Sequence, residues 1–246
     1  MNAGDIISGR YRLHSRIGEG GQASVWKATD LTLNREVAIK FIYASDARER
    51  EELATGFLRE ARICAAVRHR NVVQILDFGT AADSVPYMVL ELLKGETVAD
   101  RLDVGMDMQE ILEVAVKTLE GLAEVHAAGI VHRDLKPENI LLARDSSGTH
   151  PKLLDFGISK MLDSDGVSRS AVTTRIGRVI GTPEYMSPEQ ARGVQSLDHR
   201  TDLYAMGVVI YETIAGRAPY EPAPGGDLMM MVIEGKAPPR IERAPG

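Results

Sequence analysis

The feature that most limits how this chain can fold is a change of hydrophobic period near residue 94. Before it, apolar residues come in short strand-type runs at 11–17, 23–28, 36–43, 72–78 and 87–92, punctuated by Gly18-Glu19-Gly20-Gly21 and Leu33-Asn34-Arg35. A single helix is predicted among them, over 47–67, charged at first and then amphipathic. After residue 94 the spacing is helical. Met108, Ile111, Leu112, Ala115, Leu119, Leu122 and His126 share one face of a helix over 107–128, with Asp107 as its cap and Gly129 as its stop. Residues 202–215 are apolar almost throughout, which predicts a buried helix ending at Gly216. Short strands are expected at 130–131, 140–142 and 152–154, and 162–179 is polar and without period, as a loop is. The expectation is an α+β chain in two packed lobes. Residues 1–93 form a small, sheet-rich lobe, 94–246 form a larger helical one, and a connector lies near 91–95.

Composition narrows the function classes. A net charge of -6 argues against a dedicated nucleic-acid binder, which needs a basic excess. Cys64 is the one cysteine, so no disulfide can form within the chain, and a reducing, cytoplasmic setting is the expectation. Cys64 sits in an apolar helical run and reads as a small core residue. Residues 1–9 do not have the pattern of a secretory signal, and no apolar run is long enough to span a membrane.

Three stretches carry chemistry. Gly18-Glu19-Gly20-Gly21-Gln22-Ala23-Ser24-Val25 would let backbone N–H groups approach phosphates, although a glycine hairpin is also an ordinary turn. Strand continues after it, and neither a dinucleotide-type helix nor a Gly-Lys-Ser/Thr ending follows. Lys40 ends the apolar run Val37-Ala38-Ile39. It reads either as a surface lysine or as a cation over the same phosphates, with Glu60 on the next helix as a carboxylate that could hold it. The third stretch is His132-Arg133-Asp134-Leu135-Lys136-Pro137-Glu138-Asn139, a loop because of Pro137, followed by Asp155-Phe156-Gly157. Phosphoryl transfer needs a carboxylate facing the incoming hydroxyl, cations against the moving charge, and oxygen ligands for a hard metal ion. Asp134, Lys136, and the pair Asn139 and Asp155 are of those types. His132, flanked by Ile130 and Val131, reads as buried and structural rather than as a base.

These stretches, with Ser187-Pro188-Glu189, stand in the order of the eukaryotic-type protein kinase family, and the chain resembles that family from about Gly9 to Pro239. The resemblance implies a bilobal kinase fold and a serine/threonine protein kinase of the bacterial (Hanks-type) branch, using ATP and Mg²⁺, with Mn²⁺ as a substitute. By the resemblance, Lys40 holds the α- and β-phosphates with Glu60 as its helix partner. Asp134 is the catalytic base and Lys136 acts beside it. Asn139 and Asp155 hold the metal. Ile17, Gly18, Gly20, Val25, Ala38 and Leu141 surround the nucleotide, Leu90 is the gatekeeper, and the Glu91 and Leu93 backbone meets the adenine.

Lys136 within Asp-Leu-Lys-Pro-Glu-Asn, together with Gly181-Thr182-Pro183-Glu184-Tyr185, implies serine/threonine proteins as substrates. Arg133 before Asp134 implies control by a phosphorylated loop, with Thr174 first and Thr173 second among Ser168, Ser170, Thr173 and Thr174. Self-association for autophosphorylation goes with that control.

Ala23 replaces the third loop glycine, and Arg70 stands where proline is common. The resemblance further implies that the last two helices of the large lobe, and an arginine partner for Glu189, would lie beyond Gly246. On that reading the chain alone is expected to be poorly stable and weakly active, since a broken buried pair costs about 3–5 kcal/mol. A pseudokinase scaffold typically lacks at least one of Lys40, Asp134, Asn139 and Asp155, all present here. Small-molecule kinases of the aminoglycoside-phosphotransferase type share the loop Asp and Asn but lack the Lys-Pro-Glu run.

Overall fold

A computed structural model describes residues 1–20, 23–43, 47–156, 183–194, 196–220 and 227–235, and the side chains among these except 47–56 and 83. The first strands are β1 (Ile6–Ile7), β2 (Tyr11–Gly20), β3 (Ala23–Asp30) and β4 (Arg35–Ile42). Helix α1 (Ala47–Ala66) separates them from β5 (Ile75–Thr80) and β6 (Pro86–Glu91). All six strands form one antiparallel sheet in the order β1-β2-β3-β4-β6-β5.

The alternation of side chains across this sheet sorts its residues into two faces. Trp26, Ala28, Val37, Ile39 and Phe41 pack on one side with Tyr11, Leu13, Tyr87 and Val89. Val25, Ala38 and Lys40 point to the other, because Val25 pairs with Lys40, and Ala38 with Leu90. Strand β2 slips register between Leu13 and Ser15 and again between Arg16 and Gly18. Each slip leaves one residue extra, bends the strand and increases its twist at the glycine turn. Helix α1 buries Phe57, Ala61 and Cys64, at i, i+4 and i+7, against the sheet.

Beyond Glu91 the chain forms β7 (Gly95–Thr97), α2 (Val98–Leu102) and α3 (Met108–Ala127), then the hairpin β8 (Ile140–Asp145) and β9 (Gly148–Leu153). Strands β7, β8 and β9 make a second antiparallel sheet. Helices α4 (Pro188–Ala191), α5 (Arg200–Ala215) and α6 (Leu228–Glu234) follow. Gly95 is required where it stands, since a Cβ there would lie 2.1 Å from the Leu142 carbonyl oxygen. The expected helix ends hold: the Asp107 side chain accepts from Glu110 N–H, and Gly216 closes α5 at φ 69°.

Four expectations from the sequence need correction. Leu112 does not face the core and is 56% exposed; the buried stripe of α3 is Ile111, Ala115, Thr118, Leu122 and Val125, rotated toward β9 and α5. Residues 130–131 are not a strand, because the N–H groups that follow them are taken by a carboxylate rather than by a neighbouring strand. The strand expected from residue 72 begins at Ile75; Val72 instead makes an isolated parallel bridge with Leu153 of the second sheet. Helix α5 begins at Arg200, two residues before Asp202. The polar stretch 162–179 lies outside the described residues.

One apolar cluster runs from α1, through Val72, Val73 and Met88, to Leu122, Val125, Leu135, Ile140, Leu153, Phe156 and Met206. It joins both sheets and the helices, and the loop 132–139 lies along it with Leu135 1% exposed. Among the described residues no helix is long and apolar enough to cross a membrane.

Candidate active site

The loop between α3 and β8 gathers three of the expected side chains. Lys136 Nζ lies 2.9 Å from Asp134 Oδ2 and 3.2 Å from Oδ1. Asn139 donates from Nδ2 to the Asp134 carbonyl at 2.6 Å and to its Oδ2 at 3.2 Å. Pro137 opens a 3-10 turn, Pro137–Asn139, that brings Asn139 back toward Asp134. Asp134 is 47% exposed at its side chain, so a hydroxyl can reach it, while Asn139 is buried.

Across from the loop, Lys40 Nζ lies 2.8 Å from Asp155 Oδ2. The two halves are stitched by backbone: Leu154 N–H donates to the Asn139 carbonyl at 2.9 Å, and His132 Nε2 lies 2.8 Å from the Leu154 carbonyl oxygen. His132 is fully buried, as its apolar neighbours predict.

Two residues here have left-handed backbone, Arg133 at φ 66° and Asp155 at φ 59°. Such conformations cost on the order of 1–3 kcal/mol each and persist only where the surroundings over-determine them. For Arg133 the device is visible. Asp202 of α5, 1% exposed, accepts from His132 N–H through Oδ2 and from Arg133 N–H through Oδ1, both at 2.8 Å. His126 Nε2 is 2.7 Å from the same Oδ2. From the opposite side Gln190 Nε2 donates to the Arg133 carbonyl at 2.8 Å. Gln190 is itself held by Ser187 N–H at 3.1 Å and by the Thr201 hydroxyl at 3.2 Å. Sequence reasoning missed both residues. Asp202 had a signal, a carboxylate opening an otherwise apolar helix, which must find donors if buried. Gln190 had none.

The residues expected around a nucleotide lie on the first sheet, on the connector and on β8. Gly18 pairs with Val25 and Gly20 with Ala23, and Val25 pairs in turn with Lys40, so the described glycines of β2 belong to the same sheet as Ala38 and Lys40. Ile17 of β2 is 53% exposed. Leu90 and Glu91 end β6 and Leu93 lies on the connector, all three half-buried, and Leu141 is half-buried on β8 opposite Lys152. Glu60 is half-buried on α1. Gly157, Thr182, Ser168, Ser170, Thr173 and Thr174 lie outside the described residues.

Near the loop, Tyr185 OH donates to Glu212 Oε2 at 2.5 Å. Burial pushes the Glu212 carboxyl above the usual range, Tyr185 opposes that, and the like charges of Glu138 and Glu184 add to it.

A family model described as the protein kinase domain matches residues 11–240. The chain belongs to the protein kinase family. The curated relatives it resembles are bacterial serine/threonine-protein kinases. Serine/threonine-protein kinase pkn3 of Myxococcus xanthus is 38% identical over 245 residues, which is 98% of this chain and 44% of that protein. Pkn2 of the same organism is 41% identical over 217 residues, 88% of this chain and 25% of that protein. PknB of Mycobacterium leprae is 38% identical over 220 residues, 87% of this chain and 34% of that protein. The chain thus spans less than half the length of each of these kinases. The family uses ATP and a divalent metal, and the donor set fits a hard cation. Asn139 engages its Nδ2 with Asp134, so Oδ1 is the atom it would offer a metal ion, and Asp155 would offer a carboxylate.

Proposed function

We propose that the chain transfers the γ-phosphate of ATP to serine and threonine hydroxyls of proteins. The observation that carries this reading is the cluster of Asp134, Lys136 and Asn139 in one loop, stitched through Leu154 to the Lys40–Asp155 pair. Asp134 orients the incoming hydroxyl and accepts its proton. Lys136, already beside Asp134, offsets charge on the group in transit. Lys40 binds the phosphates, with Glu60 as its helix partner. Asn139 and Asp155 would hold Mg²⁺, which Mn²⁺ can replace, and the ion would neutralise phosphate charge. The adenine lies between Val25 and Ala38 above and Leu141 below, meets the Glu91 and Leu93 backbone, and is covered by Ile17, Gly18 and Gly20. The small lobe is 1–93 and the large lobe 94–246.

Substrates are proteins, the setting is cytoplasmic, and copies of the chain associate to phosphorylate one another. Thr174, and next to it Thr173, carry the regulating phosphate, for which Arg133 is the cation. Mass spectrometry of active protein with both threonines unmodified refutes that part.

The test of the catalytic reading is Asp134→Asn. Transfer of ³²P from ATP to a generic protein substrate is expected to vanish while nucleotide binding persists. Transfer retained at the wild-type rate removes Asp134 from the chemistry.

A further inference from the structure

Lys152 is a residue to which the kinase reading gives no task. It is 9% exposed, on β9, three residues before Asp155. An ammonium group is costly to bury without partners. Lys152 Nζ has two: Glu91 Oε1 at 2.5 Å and the Val72 carbonyl oxygen at 3.4 Å. Glu91 ends β6, at the start of the connector, and the same Oε1 accepts from Gln74 N–H at 2.9 Å. Glu91 N–H in turn donates to the Gln74 carbonyl at 3.1 Å. Three chain segments therefore meet at one ion pair.

The segments continue past the pair. Leu153 N–H donates to the Asn71 carbonyl at 2.8 Å, and Val73 N–H to the Leu153 carbonyl at 2.9 Å. One residue further, Leu154 N–H reaches Asn139. Lys152 also stands directly opposite Leu141 in the β8–β9 ladder. The connector, the strand delivering Asp155 and the floor of the nucleotide site are thus held in one register by a partly buried charge pair.

We propose that Lys152 and the Glu91 side chain are positioning residues that latch the connector to β9 and so set the affinity for nucleotide. The inference rests on the kinase reading, because it takes the Glu91 and Leu93 backbone as the adenine contact. Neither side chain touches the nucleotide. The ammonium holds the Glu91 carboxylate, the carboxylate holds the connector backbone, and that backbone presents the groups the adenine pairs with. A plain brace between segments would add stability and leave affinity unchanged. A latch adds affinity, because a connector that wanders must be ordered again at each binding event.

The test titrates the chain with AMP-PNP and Mg²⁺ by calorimetry, well below the melting temperature of each variant. Lys152→Met and Glu91→Gln are each expected to weaken binding roughly tenfold, the scale of one charge-assisted hydrogen bond. The double variant is expected to be no weaker than either single one, since both remove the same interaction. Lys152→Arg, which keeps charge and donors, is expected to recover most of the loss. In a phosphorylation assay of Lys152→Met the KM for ATP rises in step while kcat stays near wild type. Glu91→Gln is nearly isosteric and serves if Lys152→Met does not fold. Wild-type affinity in both single variants overturns the latch, and so does tighter binding, which would make the pair a restraint. A wild-type chain that binds no nucleotide overturns the kinase reading itself, and the latch with it.

Discussion

Replacing Asp202 with asparagine changes one oxygen for an NH₂ group at a site that is 1% exposed. The carboxylate meets three donors: His132 N–H, Arg133 N–H and His126 Nε2. Asparagine offers one acceptor atom, so its amide must oppose at least one of them, donor to donor. The least costly arrangement keeps the oxygen toward His132 and His126 and gives up the bond to Arg133. Losing one charge-assisted hydrogen bond in a buried site costs about 1.5–3 kcal/mol. A kinase domain of this size should then melt roughly 3–12 °C lower, at about 2–4 °C per kcal/mol. Arg133 N–H is also one of the bonds holding its left-handed peptide at φ 66°. When that peptide relaxes, Asp134, the next residue, moves with it. A displacement near 1 Å at a reacting group costs on the order of a hundredfold in rate. The assay pairs a urea or thermal melt with kcat and the KM for ATP on a generic protein substrate. The expected pattern is a lowered midpoint, a kcat reduced about a hundredfold, and a KM for ATP within a fewfold of wild type. An unchanged melting temperature and kcat would refute the claim that Asp202 holds the loop.

Three further outcomes are expected. Gly95→Ala should destabilise by about 1–3 kcal/mol in a thermal melt, because its Cβ meets the Leu142 carbonyl backbone at 2.1 Å and that atom cannot swing away. Asp30 is held down to about 2 from an ordinary 3.8, first by Arg10, whose guanidinium bonds it at 2.7 and 2.9 Å, and by the N–H groups of Leu33 and Thr32. Its lowered value means stability that is present above pH 3.8 and lost as pH falls toward 2, so Asp30→Asn should be less stable than wild type at neutral pH and approach it below pH 3. Glu212 has the opposite sign: burial raises it above its ordinary 4.5, so its ionisation costs stability as pH rises through that range. Glu212→Gln, which still accepts from Tyr185, should melt above wild type at neutral pH and level with it at pH 4; a constant gap between the two across pH would exclude the charge as cause.

Much of the fold was legible because its signals are local. The strands at 23–30 and 35–42 and the helix at 108–127 follow from side-chain period and caps, which belong to neighbouring residues. Where reading failed, the deciding partner was remote. Leu112 sits at helical spacing with Met108 and Ala115, yet the rotation of α3 depends on β9 and α5. Residues 130–131 are apolar and β-branched, yet whether they pair depends on what lies beside them, and there a carboxylate 69 and 70 residues away takes the following N–H groups.

The same division runs through the candidate site. The sequence by itself determined the chemistry on offer: Asp134, Lys136, Asn139, Asp155 and Lys40 in an order that matches the protein kinase family. It did so because residue type and spacing within a loop are covalent facts. Only the tertiary structure decided how those groups are held. It made Asp155 the partner seen at Lys40, set Asp202 and Gln190 on the two sides of the Arg133 peptide, and closed Lys152 on Glu91. Each of these bonds joins residues at least 57 positions apart, and it exists only because packing of the sheets and α5 brings them together. Charge and hydrogen-bond partners of a buried group are chosen by proximity in space, which no local pattern encodes.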